Sequence, residues 1–115
     1  MTGLASEQCS KDIDQKARLD PHDIRHLEGE LPPGWEVVEN HHLFKSFSFD
    51  DFSSALEFVN QIGAIAETEQ HHPDIGLSYG KVDVTVVTHK VGGLTRNDFV
   101  LAAKIASLAQ DRPST

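Results

Sequence analysis

Cys9 is the only cysteine in the chain, so no intramolecular disulfide can form. That suits a reducing compartment, and a cytoplasmic location is expected. No apolar run approaches the roughly 20 residues needed to span a bilayer. The first residues also lack a basic stretch followed by an apolar core, so neither a membrane span nor a signal peptide is expected. Positive charge is scarce: 10 Lys and Arg stand against 18 Asp and Glu, a net charge of −8. Such a surface repels phosphate backbones and anionic lipid, which argues against direct nucleic-acid or membrane partners. Several chemical signatures are missing too. There is no GxSxG, Cys9 lies in a polar N-terminal stretch, and Gly92-Gly93 lacks a P-loop context. Neither HExxH nor paired cysteines occur, so no metal is expected.

The chain's 115 residues suffice for one compact domain and not for two. Residues 1–18 are polar and without sustained periodicity, and read as a mobile extension. Residues 19–110 read as the single folded domain, and 111–115 as a tail. Within the domain, Asp20 and Pro21 mark a helix start, with Ile24 and Leu27 facing inward. The stretch from Trp35 to Phe49 reads as two short strands, about 35–40 and 43–49, turning at Glu39–His42. Phe52, Ala55, Leu56, Val59, Ile62, Gly63 and Ala66 recur with helical spacing, and Asp50 is placed to cap that helix. It ends near Glu69, since Pro73 disfavours helical geometry at His72. Ile75–Tyr79 and Val82–His89 then read as a hairpin about Gly80. A last helix starts at Thr95, with Leu101, Ala102, Ile105, Leu108 and Ala109 as its apolar stripe. The order α-β-β-α-β-β-α predicts an α+β fold: a four-stranded antiparallel sheet with three helices packed on one face.

The chemistry concentrates in EQHHPDIGLSY, residues 69–79. Reflection about Gly80 brings His89 opposite His71, and a shift of one residue brings it opposite Gln70 or His72. Paired strand residues have Cβ atoms about 4.5–5.5 Å apart, so three imidazoles gather at the open end of the hairpin. Pro73 cannot donate to a sheet ladder, so the pairing opens there and leaves room for a pocket. The short KVGGL link brings Asp98 to the same end, where it can orient an imidazole. Glu67, near the end of the middle helix, is a second orienting carboxylate. An unperturbed pKa near 6.5 lets histidine give and take protons around neutral pH, which points to acid–base catalysis. His41-His42 has no reflected partner histidine, and His22 and His26 read as an exposed face of the first helix.

These residues resemble a known signature. Glu67, three residues, His71-His72-Pro73, five residues, Tyr79, nine residues, His89, eight residues and Asp98 follow the pattern of the pterin-4a-carbinolamine dehydratases. LPPGWEVVE, FKSFSFDDFSSALEFV and KVDVTVVTHKVGGLTRNDFVLAAKI are also similar to that family, and the likeness runs from Leu19 to Ala109. The resemblance implies catalytic roles for His71, His72 and His89, with Asp98 as the acidic partner. It implies dehydration of 4a-hydroxytetrahydrobiopterin to quinonoid dihydrobiopterin, which recycles the pterin cofactor of aromatic amino acid hydroxylases. The reaction requires no metal or cofactor beyond the pterin substrate. Pro73 and Trp35 are candidate walls for that substrate, and a homodimer or homotetramer is implied. The alternative is a non-catalytic binding or assembly module on the same fold.

Overall fold

The structure, a computed structural model, describes residues 3–11 and 13–110. Helix α1 (Pro21–Glu28) starts where the Asp20 carboxylate accepts the Asp23 backbone N–H at 2.9 Å and Pro21 takes the first position. It buries Ile24 and Leu27. Strands β1 (Glu36–Val38) and β2 (His42–Ser48) form the first hairpin. Glu39 and Asn40 both take positive φ, 53° and 54°, so the turn twists with the strands it joins.

Helix α2 (Phe52–Glu69) is capped by Asp51, whose side chain accepts from the Ser54 N–H at 2.7 Å, rather than by Asp50 as expected. Its buried stripe is Ala55, Phe58, Ile62 and Ala66. Phe52 and Leu56, expected inward, are 44% and 40% exposed. The stripe is rotated because Phe58 docks on Phe47 and Phe49, with ring centroids 4.9 and 5.2 Å away. Aromatic packing against the sheet therefore overrides the best helical fit to the small apolar residues.

Strands β3 (Asp74–Ser78) and β4 (Lys81–Val86) are joined by the two residues Tyr79 and Gly80. Gly80 is required by close approach: a Cβ there would lie 2.8 Å from the Phe49 carbonyl oxygen. The Phe49 N–H donates to the Gly80 carbonyl across the same gap. β4 ends at Val86, three residues before the expected end. Thr88 instead bridges to Gly93, and His89–Val91 forms a 3-10 turn leading to α3 (Arg96–Gln110). The sheet is antiparallel throughout, in the order β1-β2-β4-β3. On its covered face Leu43, Phe47, Val82, Val84 and Val86 meet α2 and α3, and on the other face Ser46, Asp83 and Thr85 alternate with them.

The N-terminal segment differs most from expectation. Instead of a mobile extension, its described residues pack along α3, with Leu4 and Cys9 buried. Polar anchors supply what hydropathy does not. The Cys9 N–H donates to Glu69 at 2.8 Å, and the Lys104 ammonium donates to the Ala5 carbonyl at 2.8 Å. The expected tail, 111–115, lies outside the described residues. Among those described, no helix is long and apolar enough to cross a membrane.

Candidate active site

Asp98 is the centre of the site, placed there by helix capping. It is the third residue of α3, and its Oδ2 reaches back to accept the Thr95 N–H at 2.8 Å, as a capping-box acid does. The Thr88 hydroxyl donates to the same oxygen at 2.7 Å. Thr88 Oγ1 also lies 2.9 Å from Thr95 Oγ1. The remaining oxygen, Oδ1, meets His71 Nε2 at 2.7 Å. Asp98 has no exposed surface, and a buried carboxylate is tolerable only when its oxygens are satisfied in this way. Thr88 is itself held by backbone bonds to Gly93, which fold the loop back on itself. Gly92 closes that loop in the left-handed region at φ 64°, where a glycine carries no steric cost.

His71 follows Gln70, which ends α2 in the left-handed region at φ 55°. Its own N–H donates to the Ala66 carbonyl at 3.2 Å, so the backbone is fixed as well as the ring. The His71 side chain is only 12% exposed. His72 and His89 are different. His72 Nε2 meets Glu67 Oε2 at 2.5 Å with both side chains mostly in solvent. His89 Nε2 lies 3.5 Å from Asp74 Oδ2, also at the surface. Each imidazole thus has its Nε2 against a separate carboxylate. The three histidines line one cleft of about 680 Å³, together with Thr88, Lys90 and Asn97.

The hairpin register explains the gathering. Ser78 pairs with Lys81 and Asp74 with Thr85, so the extrapolated partner of His89 is Gln70, one of the two alternatives to His71. The ladder stops at Asp74, and the 3-10 turn carries His89 to the Asp74 side chain. Asp74 is the carboxylate that the sequence reading omits. Its position directly after Pro73, at the start of the strand facing His89, was the available signal. Glu67 pairs with His72 and Asp98 with His71, so both expected orienting acids meet a histidine.

Trp35 is not among the cleft-lining residues. It is buried against Phe47, ring centroids 6.1 Å apart and edge-on. Pro73 also lies outside the lining, next to His72. Cys9 lies outside the cleft lining, and burial, then the charge of Glu69, push its thiol up to about 12. His41 and His42 stack edge-on in the first hairpin, with Nδ1 atoms 3.0 Å apart. His22 and His26 lie on the exposed face of α1, beside Asp23 and Glu30.

Known proteins share both fold and sequence. Residues 17–108 match the model of the family described as "Pterin 4 alpha carbinolamine dehydratase". A Rubrobacter xylanophilus protein provisionally named pterin-4-alpha-carbinolamine dehydratase is 45% identical over 108 residues, 94% of this chain and 100% of that one. A Rickettsia canadensis protein with the same provisional name is 45% identical over 107 residues, 93% of this chain and 98% of its own. Among solved structures, the transcriptional coactivator/pterin dehydratase from Brucella melitensis superposes with a TM-score of 0.74 at 35% identity, covering 80% of this chain and 98% of that one. A pterin dehydratase-like protein identified as a RuBisCO assembly factor in the alpha-carboxysome shares the fold, with a TM-score of 0.56 at 24% identity over 66% of this chain and 89% of that one. The chain belongs to the pterin-4a-carbinolamine dehydratase family.

Proposed function

We propose that the chain dehydrates 4a-hydroxytetrahydrobiopterin to quinonoid dihydrobiopterin by metal-free general acid–base catalysis. The observation that carries this reading is the single cleft lined by His71, His72 and His89. Loss of water from a carbinolamine requires two proton movements. One proton goes to the departing 4a hydroxyl, and the C4a–O bond breaks to release water. The N5 lone pair forms the C4a=N5 bond, and the N5 proton leaves to a base. The net change is one water lost, with no oxidation. Imidazoles positioned for these transfers contribute about 10²–10⁴-fold.

The residues divide this work by environment. Asp98, fixed by Thr88 and Thr95, holds His71 Nε2, so proton exchange with the substrate falls to Nδ1. Glu67 and Asp74 do the same for His72 and His89 in looser, solvated pairs. One imidazole must be protonated and another neutral, so the rate follows a bell-shaped pH profile. Recycling of the cofactor of aromatic amino acid hydroxylases, in the cytoplasm and by a homodimer or homotetramer, completes the reading.

The test is dehydration of freshly generated 4a-hydroxytetrahydrobiopterin, followed by the ultraviolet absorbance of the quinonoid product. Wild type is expected to accelerate it, and His72→Ala to lose most of that acceleration. Folded wild type without acceleration would sink the enzyme reading and leave a binding or assembly module.

A further inference from the structure

The N-terminal segment has a position that the proton chemistry does not require. Ser10, Lys11 and Ile13 line the same cleft as the three histidines. They precede residue 17, where the family match begins, whereas every histidine and carboxylate of the site lies inside it. The 108-residue match to the Rubrobacter protein, however, necessarily takes in part of this segment.

The segment is fastened at several points. Asn97 clasps Ser10 in both directions: its Oδ1 accepts the Ser10 N–H at 2.8 Å, and its Nδ2 donates to the Ser10 carbonyl at 2.8 Å. The Arg96 guanidinium grips the Glu7 carboxylate with two bonds, of 2.8 and 2.6 Å. Glu69 holds the Cys9 N–H, and Lys104 lies 3.7 Å from the same carboxylate. Arg96, Asn97 and Asp98 are consecutive, so one helical turn holds both the segment and the His71 partner. A polar clasp of this kind fixes a wall, not a fraying end.

We propose that Ser10, Lys11 and Ile13 form the specificity wall of the pterin cleft, with Lys11 contacting the substrate side chain and Asn97 acting as the positioning residue that holds the wall. The proposal rests on the dehydratase reading for its substrate. An ammonium has three donors and no acceptor, so its partner is an acceptor oxygen. The substrate class is a reduced pterin carrying oxygens on its side chain. The histidines act on the ring system that all such pterins share, and the wall distinguishes what is attached to it.

The experiment compares two carbinolamines, one derived from tetrahydrobiopterin and one from a 6-methyl analogue that lacks the side-chain oxygens. Lys11→Met should lower the ratio of their kcat/KM values about tenfold, carried by KM, as expected for loss of one charge-assisted hydrogen bond. Asn97→Ala should lower the same ratio. It should also speed alkylation of Cys9, the only thiol in the chain, because the clasp that buries it is gone. An unchanged ratio in Lys11→Met would overturn the proposal. A second readout does not depend on turnover. A saturating stable dihydropterin should slow alkylation of Cys9 in wild type, and no slowing would also overturn it. An inert wild type whose Cys9 is still protected would remove the dehydratase reading and keep the wall.

Discussion

The His71–Asp98 and His89–Asp74 pairs are chemically the same, and the fold treats them differently. The first is 2.7 Å long, with its carboxylate wholly buried and bonded by Thr88 and the Thr95 N–H. The second is 3.5 Å long, with its side chains 72% and 68% exposed. In solvent such a pair is screened and contributes little, about 0–1 kcal/mol. In the interior, removing one partner strands the others. The difference teaches that identical residue types lining one cleft sit in unequal environments. His71 is held against a buried carboxylate, whereas His72 and His89 meet theirs largely in solvent.

The sharpest way to break this contrast is to remove Asp98. Asp98→Ala leaves Thr88, Thr95 and His71 without their shared acceptor, and should cost about 3–5 kcal/mol of stability and about 10²-fold or more in kcat. Chemical denaturation and turnover measure the two losses separately. Thr88→Val should come next. It removes one donor to Oδ2, costing about 1–3 kcal/mol, and Thr88→Ser should recover most of the loss. Asp74→Asn should change stability by no more than about 0.5 kcal/mol and turnover only a few-fold. A loss in Asp74→Asn as large as in Asp98→Ala would erase the distinction.

The smallest expected effect concerns the N-terminal segment, whose docking has an acid and an alkaline limit. The Arg96 hydrogen bonds hold the Glu7 carboxylate below its ordinary range. That contribution is present above the ordinary carboxylate pKa and fades as pH falls through the lowered value. Glu7 is partly solvated, so screening keeps the contribution small. The Cys9 thiol is raised to about 12, so its contribution is complete below the ordinary thiol pKa and lost as pH rises toward that value. Exchange of the Cys9 and Ser10 amides, corrected for intrinsic pH dependence, should be slowest between these limits. A flat dependence would mean that the segment's docking is insensitive to both groups.

The helices, the hairpins and the histidine gathering were readable because they rest on local signals: caps, alternation and a reflected register. Asp98 was readable for the same reason, since a carboxylate in the first turn of a helix is itself a local signal. What escaped depends on contacts distant in sequence. Phe58 turns α2 onto Phe47 and Phe49, and Trp35 prefers the core to the cleft. The N-terminal segment looked solvated because its anchors are polar and lie on α2 and α3: Glu69, Arg96, Asn97 and Lys104. No window of hydropathy reports such a partner. Asp74 was hidden by the end of β4, which stops at Val86 so that His89 reaches it through a turn and not through a ladder.

The most direct measurement is kcat/KM for dehydration of 4a-hydroxytetrahydrobiopterin by wild type, Asp98→Asn and Asp74→Asn, side by side. Fast wild-type turnover, a loss of about 10²-fold or more in Asp98→Asn and only a few-fold loss in Asp74→Asn is the expected result. Equal losses in the two variants, or no acceleration by folded wild type, would contradict it.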